Sequence, residues 1–281
     1  MLKRSRIILI ITCLILTVPS FAQFDDPKTF EIGPHVGGSF YMGDINPTKF
    51  FFQPQLAYGG LLRFNYNPRW TYRLDYTHAV VTASDEASGW RPERGLSFLT
   101  KINDVSLIVE FNFLEYYTGD VKRNISPYLF GGISVFLFQP YGEVDGKLVD
   151  LRSLSTEGTA YPVLDIGKYH WELSLPLSFS IPFGFGVKWG VTKHLGVAAE
   201  VKMHKTFTDY LDDCGTVYPE QNVTYTPEGG TPTDMTDPTG NYQPFMQRGN
   251  SIFDDWYGMA NLSVTWKFNM PRKTRCNLSN F

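Results

Sequence analysis

The chain has 281 residues, enough for one large domain or two small ones. A formal charge of −3 gives no electrostatic case for a nucleic-acid partner. Aromatic residues make up 16% of the chain, yet beyond its first segment no run reaches the roughly 18 apolar residues of a membrane-spanning helix, which excludes a helical membrane protein.

The first segment reads as an export signal. Lys3, Arg4 and Arg6 precede an apolar run from Ile7 to Val18, and Pro19-Ser20-Phe21-Ala22 offers small residues for a peptidase. Residues 1–22 are therefore expected to be cleaved, leaving 23–281 as a single domain with a tail from residue 269. Cys13 lies inside the apolar run, with Thr12 before it, which does not suit a lipoprotein signal. Only Cys214 and Cys276 then remain, too few for a disulfide-framed scaffold.

Past the signal, apolar residues alternate with small or polar ones, the period of a strand with one greasy face. Phe30, Ile32, Val36, Phe40 and Met42 oppose Glu31, His35 and Ser39. Leu56, Tyr58, Leu62 and Phe64 oppose Arg63 and Asn65, and Trp70, Tyr72, Leu74 and Tyr76 oppose Arg69, Arg73 and Asp75. Asn67-Pro68 between these two segments predicts a tight turn, making them a hairpin. A fourth strand carries Val105, Leu107, Val109, Phe111 and Phe113 against Asp104, Ser106, Glu110 and Asn112. The fifth, Tyr128 to Phe138, has apolar residues or glycine on both faces. Phe179 to Trp189 forms the sixth, with Lys188 on its polar side, and Leu195 to Met203 the seventh, opposed by Glu200, Lys202 and His204. The eighth runs from Trp256 to Phe268 against Asn261, Ser263, Thr265 and Lys267.

Connection lengths alternate too. Strands 2–3 and 6–7 have tight turns, and strands 4–5 a modest connection from Leu114 to Pro127. The others are long: Gly43 to Gln55, Val81 to Lys101, Gln139 to Ser178 and Thr208 to Asp255. An even strand number with long loops at one end predicts an all-β fold, an eight-stranded antiparallel transmembrane β-barrel with long extracellular loops and short periplasmic turns. Eight strands leave an interior just wide enough for side chains, so the mixed charges of the polar face should pair across it and plug it.

Several residues invite a chemical reading. His204 with Asp209, Asp212 and Asp213 lies at the outer end of strand 7, but no second His joins it and no nucleophile elbow is present. The acids do not match an EF-hand loop, and Tyr210 and Leu211 between them suit a packed loop or docking surface. The five histidines show no metal-ligand spacing, and Gly131-Gly132 and Gly184-Phe185-Gly186 lack the context of a phosphate loop. No catalytic site, metal or cofactor is expected.

Certain motifs resemble a known family. Glu31-Ile32-Gly33, the run from Ser39 to Thr48, Tyr66-Asn67-Pro68-Arg69-Trp70, Ser126 to Gly132, Lys205 to Asp213, and Gln247-Arg248-Gly249-Asn250-Ser251 are similar to the PorG-type (DUF6089-type) outer-membrane proteins of the Bacteroidota type IX secretion system. The chain departs from that pattern between Gly142 and Leu175 and from Asn222 to Pro244. The resemblance implies a non-enzymatic outer-membrane component of the secretion machine, associated with a periplasmic ring of the lipoprotein PorK and its partner PorN. It also implies a role in exporting proteins with C-terminal targeting domains. Its partners are then that ring and the lipids of the outer membrane; the alternative is a small OmpA/OmpX-like surface barrel acting as adhesin or porin.

Two surfaces stand out for contacts. Asp209, Tyr210, Leu211, Asp212 and Asp213, with Arg248, Gly249, Asn250 and Ser251, fall in the last long loop and make either a lid or an extracellular docking surface. Arg272, Lys273 and Arg275 follow Pro271 in the tail, a candidate periplasmic anchor.

Overall fold

The computed structural model describes residues 28–118, 122–154, 156, 165–166, 169–170, 177–215, 217–250 and 254–269. Residues 1–22, expected to be a signal, and the tail with Arg272, Lys273 and Arg275 lie outside them, as does Ser251.

Eight long strands form one closed sheet: β1 (Thr29–Met42), β2 (Gln55–Asn65), β3 (Trp70–Ser84), β4 (Ser97–Asn112), β5 (Ile125–Val144), β6 (Leu177–Gly190), β7 (Leu195–Thr206) and β8 (Trp256–Asn269). Each pairs antiparallel with its sequence neighbours, and β8 returns to β1 with Thr29 opposite Asn269 and Met42 opposite Trp256. Closure leaves no unpaired sheet edge, the condition for crossing a bilayer with strands. Apart from this sheet the described residues hold short hairpins and single helical turns in the loops.

The greasy faces point outward. Ile32, Leu107, Ile133, Phe185 and Leu262 are each more than half exposed, whereas their polar neighbours Glu31, Ser106, Ser134, Lys188 and Asn261 are buried. A barrel greasy outside and charged inside is the inverse of a soluble one; it is the outer-membrane type. Tyr66, Trp70, Trp189, Trp266 and Phe268 ring the turn end as an aromatic girdle. Asn67 closes the first turn by accepting from the backbone N–H of Arg69 (2.9 Å) and Trp70 (2.7 Å).

Three strands overrun their expected limits. β3 continues to Ser84, β4 begins at Ser97 and β5 reaches Val144, where it turns back on Lys147–Asp150. The stretch from 82 to 101, expected to be a connection, is therefore mostly strand around a loop of residues 85–96. The inward residues here and just below, Ala79, Val81, Ala83, Phe98 and Ile102, are apolar and join Phe136, Phe138, Tyr257 and Met259 in a hydrophobic core. Apolar side chains fill the upper lumen, and that is why β5 carries apolar side chains on both faces. Arg69, expected on a strand face, sits in the turn and donates to the Phe113 carbonyl (2.8 Å).

Candidate functional site: a filled lumen and two caps

The lower lumen holds alternating charges. Glu110 faces Arg63 (3.1 Å), Arg73 (3.1 Å) and Lys188 (2.5 Å). Arg73 continues to Glu200 (2.7 Å), while Asp75 takes Lys202 (3.2 Å) and His35 (2.9 Å). These groups come from β1, β2, β3, β4, β6 and β7, so the network ties opposite walls together. All of them are buried. Each charge needs its partners, since an uncompensated ion in such a setting costs several kcal/mol.

Higher up, His204 stacks on Tyr257 (centroids 4.3 Å apart) and shares Nδ1 with the Ser180 hydroxyl at 3.0 Å. The Asp104 carboxylate lies 3.8 Å from that same nitrogen. A Ser-His-Asp relay needs the serine and the acid on different ring nitrogens. This cluster packs the lumen and has no geometry for passing a proton along.

At the turn end the connection between β4 and β5 folds under the barrel. Tyr116 is buried there, its backbone N–H on the Pro68 carbonyl (3.2 Å). Thr118 donates to Glu31 (3.1 Å) and its carbonyl accepts from Lys267 Nζ (2.8 Å). Charged side chains on this end are mostly basic: Lys28, Arg69, Lys122, Arg123 and Lys193, with Glu115 paired to Arg123 at 3.1 Å.

At the opposite end the long loops interlock into a second cap around two arginines. Arg94, buried in the loop after β3, pairs with Asp85 (2.6 Å). It also donates to the carbonyls of Arg248 (2.7 Å) and Asp44 (3.1 Å) and to Cys214 Sγ (3.4 Å). One guanidinium thus joins three loops. Burial raises the Asp85 pKa despite that pairing. Arg248 is buried as well; it donates to the Asp213 carbonyl and lies 3.8 Å from the Asp213 carboxylate.

The motif from Asp209 to Asp213 is part of this cap. Leu211, Asp212 and Asp213 are buried, and Thr100 donates to the Leu211 carbonyl (2.6 Å), tying the loop to the barrel wall. The Tyr41 hydroxyl lies 2.5 Å from Asp212 and 2.7 Å from Asp255. Asp255 also accepts from the Leu211 N–H (3.0 Å), and Asp212 from the Cys214 N–H (3.0 Å). Both carboxyls are pushed well above the usual range, first by burial and, for Asp212, next by the charge of Asp255. The Tyr41 hydroxyl can donate to either carboxyl, and the raised pKa of the pair favours sharing a proton between them.

Gly249 has a steric reason to be glycine, because a Cβ there would lie 1.7 Å from the Cys214 carbonyl oxygen. Beside it the Asn250 N–H donates to Asp44 (2.5 Å). The two motifs, with Asp213 and Arg248 35 residues apart, therefore meet directly. Arg94, Asp85, Tyr41 and Asp255 were not singled out from the sequence as members of this cluster. Tyr41 lay in a motif quoted for the family resemblance; for the other three the signal was polar character in stretches read as loop or strand end. Among the described residues no group of three or more His, Cys, Asp or Glu is arranged to hold a metal ion.

The fold is similar to solved barrels, all at low identity. The N-terminal β-barrel domain of Pseudomonas aeruginosa OprF shares 12% identity, over 86% of this chain and 98% of that one, with a TM-score of 0.36. OprG of the same organism shares 9% over 87% and 97% (TM-score 0.40), and a major outer membrane protein from Thermus thermophilus shares 12% over 86% and 99% (TM-score 0.40). No curated protein sequence matches the chain. A family model described as a domain of unknown function, DUF6089, matches residues 5–157, more than half of the chain. The protein is thus a member of the DUF6089 family, here seen as a closed eight-stranded barrel.

Proposed function

We propose that this barrel is a non-enzymatic outer-membrane component of a type IX protein secretion system, acting as a fixed anchor and not as a conduit. The observation that carries the anchoring role is the filled interior: buried ion pairs cross the lower lumen, a hydrophobic core fills the upper one, and chain covers both ends. A rigid, stoppered barrel offers its partners its two ends. The type IX assignment rests on the resemblance of the motifs around Tyr41, Pro68, Asp212 and Arg248 to PorG-type proteins.

In this reading the turn end meets the periplasmic ring of PorK and PorN. Its excess of Lys and Arg suits an acidic partner surface, and the tail residues Arg272, Lys273 and Arg275 would add to it. Deleting the gene tests the proposal. Export of cargo with C-terminal targeting domains should stop while the envelope stays intact; continued export sinks the secretion role. Truncation after Asn269 tests the tail alone, and a tail that anchors the ring should lose ring co-purification with the barrel still assembled. A surface adhesin is the second reading, favoured by Phe245, 71% exposed on the loop cap. Under that reading deletion changes adhesion and leaves export untouched.

A further inference from the structure

Where the loop cap meets the outer wall of the barrel there is a recess, its upper edge formed by the cap residues Asp44, Arg94, Gly249 and Asn250. It encloses about 800 Å³. Its floor is Met42 on β1, Trp256 on β8 and Met203 on β7, and Phe50 and Trp90 stand above it from the first two long loops. Met42 pairs with Trp256, and both have the parity of the outward residues Phe40 and Gly258. The floor therefore belongs to the membrane-facing surface.

Its depth in the bilayer follows from the strand. Trp266, in the turn-end girdle, and Trp256 are ten residues apart on β8. At ~3.3 Å per residue and a tilt of about 40° that is roughly 25 Å, the height of the apolar band of such barrels. Trp256 thus lies at the opposite interface. Its ring meets Phe183 edge-on at 6.0 Å, and Phe183 is 41% exposed in the lipid-facing belt, so recess and belt are continuous.

The wall is built from a loop that doubles back down the barrel. Phe51 and Gln53 take left-handed backbone angles (φ 53° and 46°), and the turn lays Phe50 and Phe51 on Phe40, at 4.6 and 5.2 Å. Phe40 is an outward residue yet fully covered. Gly258 lets this happen: a Cβ there would lie 2.4 Å from the Phe40 ring and 2.5 Å from Met203 Sδ. The polar groups at the upper edge are already matched. Asp44 accepts from Asn250, Arg94 is held by Asp85, Arg91 lies 3.6 Å from Glu93, Asp254 pairs with Lys205 (3.1 Å), and the Gln247 amide donates to the Gly249 carbonyl (3.0 Å). What the recess offers a visitor is hydrocarbon contact.

We propose that this recess seats an acyl chain of a membrane lipid at the loop-end interface, a bound lipid distinct from the bulk bilayer around the barrel. The inference needs the barrel to span a membrane and is independent of the secretion role. Detergent-solubilised full-length protein titrated with palmitoyl-oleoyl-phosphatidylglycerol, read by native mass spectrometry, tests it. The expected result is one lipid retained per barrel. Met42→Trp, which fills the floor, and Phe50→Ala, which removes a wall, should each weaken retention at least tenfold. Leu137→Trp, outward on β5 away from the recess, should leave it unchanged. Heat-modifiable migration on a gel reports separately whether each variant is a folded barrel. Equal retention in all folded variants, or no stoichiometric lipid on the wild type, overturns the proposal. So does a photo-crosslinker at position 90 that joins another protein and yields no lipid adduct.

Discussion

Glu110 shows how much one side chain can hold. It is the shared counter-ion of Arg63, Arg73 and Lys188, all buried, so replacing it by Gln removes one charge and leaves three cations short of a partner. Breaking a buried pair in this way costs about 3–5 kcal/mol. Glu110→Gln should accordingly lower the urea midpoint of the barrel, measured from folded and unfolded gel bands. Unchanged stability would mean that water screens the network. The carboxyls Asp212 and Asp255 give a second expectation, with a sign that follows from their raised pKa values. Below the ordinary carboxylate pKa of about 4 both folded and unfolded chains are protonated, and no penalty exists. As pH rises through that value the unfolded chain releases protons that the folded cap keeps, and stability falls by up to about 1.4 kcal/mol per pH unit for each such group until the raised folded pKa is passed. Urea midpoints should therefore drop as pH rises from about 4 toward neutrality, and Asp212→Asn should flatten the slope. An identical slope in that variant would assign the effect elsewhere.

At the level of elements, Arg94 decides whether the cap is a cap. Its loop starts with Ser84 accepting from the Ala87 N–H at the helical turn Asp85–Ser88 and leaves that turn through Gly89 at φ 66°. These local devices place Asp85 to receive Arg94, and Arg94 then holds the Arg248 and Asp44 carbonyls and the Cys214 sulfur. Arg94→Met should free the loops while leaving the strands paired. The readout is alkylation of Cys214, buried under the cap, in a Cys276→Ser background: faster labelling with unchanged heat-modifiable migration is expected. Labelling at the wild-type rate would show that Arg248 and the acids suffice. The strands themselves were legible from alternation, because the outward face must be apolar along its whole membrane height. Their upper limits were not. The sequence rule assumes a polar inner face, and in the upper parts of β3, β4 and β5 the inner face turns mostly apolar, with Ala79, Val81, Ala83, Phe98, Ile102, Phe136 and Phe138, under the covering loops.

For the whole molecule the charge network, the cap and the folded-back turn act in series along one axis. Planar-bilayer recordings of the purified protein should show no steady conductance. Stable open steps of nanosiemens size would require the cap and the lower lumen to rearrange together. The ends differ in charge, Lys and Arg at the turns against an acid-rich set of loops.

What the sequence determined by itself was the barrel: strand number, the alternation of long and short connections, an apolar face along the strands, and the presence of enough opposite charges to fill the lumen. These follow from near-neighbour rules, the period of two along a strand and the length of a turn, which are written in contiguous residues. Only the tertiary structure decided that the Asp209–Asp213 and Gln247–Asn250 motifs meet each other over the barrel, that Arg94 joins them, and that Phe50 lies against the outer wall. Those contacts link residues from 10 to more than 150 positions apart. They depend on which loops the closed sheet brings to one end, and no local pattern encodes that arrangement.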